Sequence, residues 1–350
     1  MPLRSRAAAI DVLDGQLHGG VLGVAAREQR LGDDRRRVAD FIGAQAEEIV
    51  FLRATGDGAN LVALGLDWRA GDAVLLCDNE FGANVMPWLP LRERGVELRF
   101  IRTPEQRMTP EVLESALDER TRVVAVSWVG FFDGYRHDLT ALARVAHGCG
   151  ALFCVDAIQG LGVFPLDVKA AGIDVLYAGA GKWLLGVQGV SLAFIDAAVL
   201  DRIAVRWRGW RDVANIWDFL AYDQPLAAGA ARFQGGTPNL VAIAALTSSL
   251  EILVDAGLER IAGHVLGLTD ALVARLRELE VELLGERGSN VSSGIVSFRV
   301  PGRDPVATGR ALSRAGFVTT YRPTGIRVSP HGHNDGAQIE AFVEALRALR

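Results

Sequence analysis

Asp156, Gln159 and Lys182 lie at the ends of two short apolar runs in the stretch ALFCVDAIQGLGVFPLDVKAAGIDVLYAGAGKWLLG. Ala151 to Val155 reads as a strand bounded by Gly150 and Asp156, and Gly172 to Tyr177 repeats the pattern before Gly179-Ala180-Gly181. Two strands joined by a crossover bring the carboxylate and the amine to one edge of a sheet. Ligands of open α/β sheets bind outside that edge, at the carboxyl ends of the strands. An acid and a lysine there suit pyridoxal phosphate: the lysine forms a Schiff base with the aldehyde, and the acid keeps the pyridine nitrogen protonated. At ~3 Å and an effective dielectric of ~20 that attraction is worth roughly 5 kcal/mol, or about four pKa units. Gln159 could donate an amide hydrogen to the phenolic oxygen of the ring. Each residue also has a plainer reading: Asp156 as a helix N-cap, Gln159 as a surface polar group and Lys182 as a solvated loop lysine. The apolar run Trp183-Leu184-Leu185 beside Lys182 argues against the last of these.

Two other phosphate-binding signatures fail. A Walker loop needs a glycine six residues before the lysine and Ser/Thr after it, where this chain has Leu176 and Trp183. No G-x-G-x-x-G follows a strand, so a nucleotide-dependent enzyme lacks its fingerprint. Arg53-Ala54-Thr55-Gly56-Asp57-Gly58 does lie between a strand and a helix. Free N–H groups, a positive helix end and a hydroxyl at such a turn suit a phosphate, although similar turns also serve as plain caps.

The elements that must position these groups alternate. Val21 to Ile42 reads as a helix, Glu48 to Leu52 as a strand, Ala59 to Leu66 as a helix, and Ala73 to Cys77 and Glu97 to Ile101 as strands flanking a helix from Asn84 to Arg94. Thr121 to Ser127 is a further strand and Thr140 to His147 a further helix. Short connections between alternating β and α predict an α/β fold: a mostly parallel central sheet with helices on both faces. After about residue 255 the texture changes to a long amphipathic helix from Leu258 to Leu279, with Ile261, Val265, Leu268, Leu272 and Leu276 on one face. Strands at Val281 to Leu284 and Gly294 to Val300 follow, then a helix from Pro305 to Ala315, a strand from Gly316 to Thr320 and a helix from Gly336 to Leu349. This predicts a smaller C-terminal α+β domain, with residues 20–255 as the large domain and 1–19 and 256–350 as the small one.

Composition is consistent with such a chain. Half of the 350 residues are apolar and the net charge is −5, which gives no reason to expect nucleic acid or an anionic membrane as partner. No apolar stretch reaches bilayer length, and Asp11 and Asp14 interrupt any signal-peptide core. Three cysteines, Cys77, Cys149 and Cys154, are badly spaced for a disulfide framework or a zinc site, so no metal is expected. The expectation is a cytoplasmic protein.

Seven motifs then occur in one order: FLRATGDGANLVA, EFGANVMPW, SWVGFFDG, VDAIQ, GKWLLG, FQGGTPN and GIRVSPH. In these the chain resembles the class V aminotransferase family of pyridoxal-phosphate enzymes, fold type I. That family includes cysteine desulfurases, selenocysteine lyase, isopenicillin N epimerase, kynureninase and hercynylcysteine sulfoxide lyase. The resemblance runs from about residue 20 to the end. It implies Lys182 as the Schiff-base lysine, Asp156 on the pyridine nitrogen, Gln159 near the phenolic oxygen, and Thr55, Gly56 and Asp57 at the phosphate. It further implies Phe81 stacked on the cofactor face and Thr237 reaching the phosphate held by a second copy, so that a homodimer shares its sites. Arg327 would pair bidentately with the carboxylate of a small amino-acid substrate. Phe81 as plain core and Arg327 as a structural ion pair remain the alternatives.

The departures narrow the chemistry. Desulfurases need a cysteine in the loop before the carboxylate arginine, and here that stretch is Thr319-Thr320-Tyr321-Arg322-Pro323-Thr324-Gly325. Phe81 replaces a histidine, Gly181 stands where many relatives have histidine, and Phe131 stands where desulfurases have asparagine. The start is also short against relatives whose N-terminal segment lines the substrate pocket, with only Gln16-Leu-His18-Gly-Gly near that place. The resulting expectation is β-elimination (C–S lyase type) on a cysteine-derived conjugate in specialised metabolism, with Lys182 as the main acid/base. Amino transfer and epimerisation begin with the same proton removal, desulfuration is set aside, and a cofactor-free scaffold ranks last because Asp156, Gln159 and Lys182 are all retained.

Overall fold

The strands are written in the sequence as short, nearly continuous apolar runs, which is what burial on both faces of a parallel sheet requires. In the computed structural model, which describes residues 1–102 and 107–349, they assemble into one seven-stranded sheet. Its members are β1 (Ile49–Leu52), β2 (Ala73–Cys77), β3 (Glu97–Ile101), β4 (Thr121–Ser127), β5 (Leu152–Asp156), β6 (Val175–Gly179) and β7 (Ser191–Ile195), in the order β1-β7-β6-β5-β4-β2-β3. Only β7 runs antiparallel to its neighbours. Every residue of β2 and β5 is buried. The parallel arrangement places the last residues of β4, β5 and β6 on one edge, with Ser127 opposite Asp156 and Asp156 opposite Tyr177.

Helices cover both faces. They are α1 (Leu3–Gly19), α2 (Val24–Ile42), α3 (Thr55–Gly65), α4 (Pro110–Ala116), α5 (Leu139–Gly148), α6 (Leu240–Ala256) and α7 (Leu258–Glu278). The sequence suggested a helix beginning at Ala59, but α3 begins at Thr55. Its glycines have a packing reason: a β-carbon at Gly58 would collide with the Tyr177 ring, so only glycine lets the first turn of α3 lie on β6. The expected helix from Asn84 to Arg94 is instead 3₁₀ in geometry, in turns Gly82–Asn84 and Met86–Arg94. Pro87 and Pro90 remove the N–H donors that an α-helix needs there. Residues 157–174 connect β5 to β6 through turns, without a helix.

The second sheet is antiparallel and four-stranded, formed by β8 (Glu282–Leu283), β9 (Val296–Arg299), β10 (Thr320–Arg322) and β11 (Gly325–Val328) in the order β10-β11-β9-β8. α8 (Pro305–Arg314), α9 (Gly336–Arg347) and the C-terminal part of α7 close a separate core around Phe298, Leu272, Leu312 and Phe342. The strand expected at Gly316 to Thr320 lies later in the chain, and β10 and β11 form a hairpin with Arg322 opposite Gly325. α6 and α7 are separated by Gly257 alone, in a left-handed conformation (φ 83°). Residues 1–19, grouped above with the small domain, form α1 along α6. There Ser5 Oγ lies 2.7 Å from Ser249 Oγ, and Arg4 pairs with Glu251 at 2.7 Å and Asp255 at 3.0 Å. No single helix is long and apolar enough to cross a membrane; α6 and α7 reach that composition only as a pair bent by 81°.

Candidate active site

Asp156, the last residue of β5, is 1% exposed. Its Oδ1 accepts from the Ile158 N–H at 3.0 Å, closing a turn of its own rather than capping a helix, while Oδ2 is buried with no hydrogen-bond partner. Burial pushes this carboxyl up to about 7; the like charge of Glu80 adds to the rise, while the Ile158 N–H and Lys182 oppose it. Gln159 is fixed by one end only: its Oε1 accepts from the Trp183 Nε1–H at 3.1 Å, and its Nε2 is buried without a partner. A buried carboxylate oxygen and a buried amide nitrogen, both unsatisfied, are costly unless a ligand meets them.

Lys182 follows β6 in a tight turn closed by the Leu185 N–H to the Lys182 carbonyl at 3.0 Å and the Gly186 N–H to the Ala180 carbonyl at 3.0 Å. Leu185 sits at φ 59°, a strained position for an aliphatic residue, held because Trp183 and Leu184 beside it are buried. Lys182 is exposed as a residue, with Nζ 5.6 Å from the centroid of the Phe81 ring. The protein mass around the ammonium pushes it below the ordinary lysine range; Asp156 opposes this and Arg327 adds to it.

Thr55 and Gly56 open α3 beside the end of β6, where a β-carbon at Gly179 would approach Thr55 Oγ1 to 2.8 Å. Asp57, expected at the same phosphate turn, directs its carboxylate to Arg53 instead, with Nε to Oδ2 at 3.0 Å and Nη2 to Oδ1 at 3.3 Å. That ion pair accounts for its side chain.

Phe81 is 41% exposed and meets Phe131 edge-to-face at 5.3 Å. Behind it lies a polar network that the motif reading passed over. Glu80 accepts from the Ser127 N–H at 2.7 Å, the Ser127 hydroxyl at 2.6 Å and Asn84 Nδ2 at 3.0 Å, while the buried Tyr177 hydroxyl lies 2.5 Å from Asn84 Oδ1. Glu80, the neighbour of Phe81 in the EFGAN motif, thus ties the loop after β2 to the ends of β4 and β6. Burial also raises its carboxyl above the usual range.

The second sheet supplies the far wall. Arg327 on β11 donates through Nη1 to the Phe131 carbonyl and through Nη2 to Thr320 Oγ1 at 3.2 Å, and its Nε is buried without a partner. Arg322, on the paired strand, lies over the Phe131 ring with its guanidinium carbon 5.5 Å from the centroid. His331 stacks on Trp183 at 4.8 Å. Burial, with His333 nearby, pushes its imidazole down to about 4, so it is neutral near pH 7. Thr237 stands elsewhere: it is exposed and lines a cavity of 670 Å³ with Arg53, Asp57, Trp207 and Gln234, which Lys182, Asp156 and Phe81 do not line. The structure therefore gathers Asp156, Gln159, Lys182, Phe81 and Arg327, and leaves Thr237 apart.

A family model for Aminotransferase class-V matches residues 15–333. The chain belongs to the class V aminotransferase family. The class V chain is 30% identical to a probable cysteine desulfurase of Methanothermobacter thermautotrophicus, over 92% of its own length and 84% of the relative's. Its fold matches the apo cysteine desulfurase of Thermococcus onnurineus NA1 with a TM-score of 0.88 at 27% identity, covering 98% and 91% of the two chains. It also matches the cystine C–S lyase C-DES, solved with cysteine persulfide, with a TM-score of 0.92 at 22% identity, covering 99% and 94%. The class V chain is thus a PLP-dependent enzyme of fold type I, and pyridoxal phosphate fits the open oxygen of Asp156 and the open amide of Gln159. Two of these three, the Methanothermobacter relative and the Thermococcus structure, are named cysteine desulfurases, the activity the sequence reading set aside, and that judgement finds no support in them.

Proposed function

We propose that this class V enzyme cleaves the C–S bond of a cysteine-derived amino acid by β-elimination. Asp156 Oδ2 would hold the ring nitrogen of pyridoxal phosphate, Gln159 Nε2 the phenolic oxygen, Thr55 and Gly56 with the α3 N-terminus the phosphate, and Phe81 one ring face. Lys182 would carry the aldehyde between turnovers. Bound there, the cofactor supplies a sink for charge that develops at the substrate α-carbon. The chain supplies the rest. Arg327 binds the α-carboxylate with the forked geometry of a guanidinium. Lys182 Nζ takes the α-proton, helped by an environment that favours its neutral form, and returns a proton to the departing sulfur. Phe81 and Phe131, edge-to-face, would flank that exchange with an apolar wall. A second copy would bring its Thr237 to the phosphate end, which is why we assign a homodimer.

The observation that carries elimination over desulfuration is the β10–β11 hairpin. Desulfuration must hand the sulfur to a protein thiolate, and the turn between Arg322 and Gly325 holds only Pro323 and Thr324. Cys77 ends β2 at the correct edge of the sheet, but it is 1% exposed, and burial together with Glu80 and Asp78 raises its thiol further. Cys154 is inside β5, and Cys149 precedes β5 at the opposite edge. Amino transfer is the second reading, favoured by the family's name and by the shared first proton removal. The loaded enzyme should release pyruvate, ammonia and a thiol from L-cysteine S-conjugates. Alanine formed from L-cysteine with sulfur left on the protein would overturn elimination in favour of desulfuration, and product formation that requires an oxo acid would favour amino transfer.

A further inference from the structure

We infer that Arg322 reads a second anionic group at the far end of the substrate side chain, making the enzyme selective for amino acids with an acidic tail. The inference rests on the reading of Arg327 as the α-carboxylate site. Arg322 and Arg327 lie on adjacent strands of one hairpin and converge on the same residue, Arg327 at the Phe131 carbonyl and Arg322 at the Phe131 ring. Phe131 in turn contacts Phe81, whose ring lies beside Lys182. A substrate held by Arg327 and reaching toward Lys182 therefore lies along the wall that Arg322 overhangs.

The charge at this wall is of one sign. Acidic residues outnumber Lys and Arg by 42 to 37, and several arginines elsewhere, though not all, find carboxylates: Arg99 pairs with Glu97 and Asp118, Arg275 with Glu278 and Glu340, and Arg287 with Asp270. Among the described residues no carboxylate lies within 4 Å of Arg322 or Arg327. Arg322 also pushes the Arg327 guanidinium down from its ordinary range, in the same direction as burial. Two like charges held together without a counter-ion attract an anion of matching spacing, and one carboxylate cannot give both guanidiniums a bidentate partner. A substrate with a carboxylate or sulfonate on its leaving group satisfies both.

The test uses the loaded enzyme and amino acids that carry no leaving group, so it does not depend on elimination. L-Aspartate, L-glutamate and L-2-aminoadipate are each titrated against their side-chain amides, with the change in cofactor absorbance as the readout. For the chain length that fits, we expect the acid to bind roughly tenfold more tightly than the amide, as expected of a partly exposed charge-assisted pair. In Arg322→Gln that ratio should fall toward one, and in Arg322→Lys, which keeps the charge but not the fork, it should recover in part. Equal affinities of acid and amide at every length in the wild type would overturn the inference, as would a preference that survives Arg322→Gln. Absence of pyruvate from S-conjugates with the preference intact would sink elimination alone. Loss of binding of acids and amides alike in Arg327→Gln, with Arg322 intact, would support the carboxylate reading on which the inference rests.

Discussion

The edge of the large sheet and the β10–β11 hairpin meet at Phe81 and Phe131, yet they are held by opposite means. Asp156 and the Lys182 turn continue from buried central strands and are braced from behind by the Glu80, Ser127, Asn84 and Tyr177 network. The hairpin is the edge of the smaller sheet, and Arg322 is exposed. The difference separates two tasks. The groups assigned to the cofactor are set at the ends of buried strands, whereas the two arginines assigned to the substrate sit on a hairpin at the rim of the smaller sheet.

That division can be broken by experiment. Lys182→Ala should lower turnover by roughly 10³-fold or more, with thermal stability close to wild type because the side chain is exposed. A variant that kept a tenth of wild-type pyruvate release would contradict the assignment. Asp156→Asn should cost about 10²-fold in kcat with a smaller change in KM, since shape is kept and charge is lost. The same substitution has a stability signature. The folded, cofactor-free chain holds the Asp156 carboxyl at about 7 against an ordinary 3.8, so it keeps a proton that the unfolded chain releases. Its contribution is full below about pH 4 and is lost as pH rises through about 7. Melting of the cofactor-free Asn variant should therefore fall less steeply across that window than wild type; identical slopes would refute the assignment of the proton to Asp156.

On the hairpin side, Arg327→Lys should act mainly on KM, lowering kcat/KM by roughly 10-fold to 10²-fold, because an ammonium cannot match a carboxylate bidentately. A pure kcat effect would erase the contrast between the two regions. The smallest effect belongs to Arg53→Ala. Its pair with Asp57 is exposed on the arginine side (74%), so its loss should change activity less than about twofold. A large loss would instead give Asp57 the phosphate-site role that its contact with Arg53 argues against.

How much of this could be read from residues alone follows from where the physics is local. Asp156 and Lys182 were legible because buried parallel strands give unbroken apolar runs, and the chemistry sits where those runs stop. The edge of β10 was misplaced because Thr319 to Arg322 is polar and half exposed, with no alternation to set its start. α6 was passed over because it is apolar nearly all round, packed between α1, α2 and the large core, and so shows no polar face. The tertiary pairs left no signal. Glu80 and Ser127 lie 47 positions apart, and Phe131 stands on a different sheet edge from the two arginines that meet it.

The turn between Arg322 and Gly325 is two residues long, at the rim of the smaller sheet. Inserting residues there is thermodynamically mild, since each doubling of a loop costs only about 0.6 kcal/mol. Chain length at this tip can therefore drift through insertion and deletion while the B6-holding edge stays as it is. Evolution, or an engineer, could add a sulfur-accepting thiol at that tip without rebuilding anything beneath it.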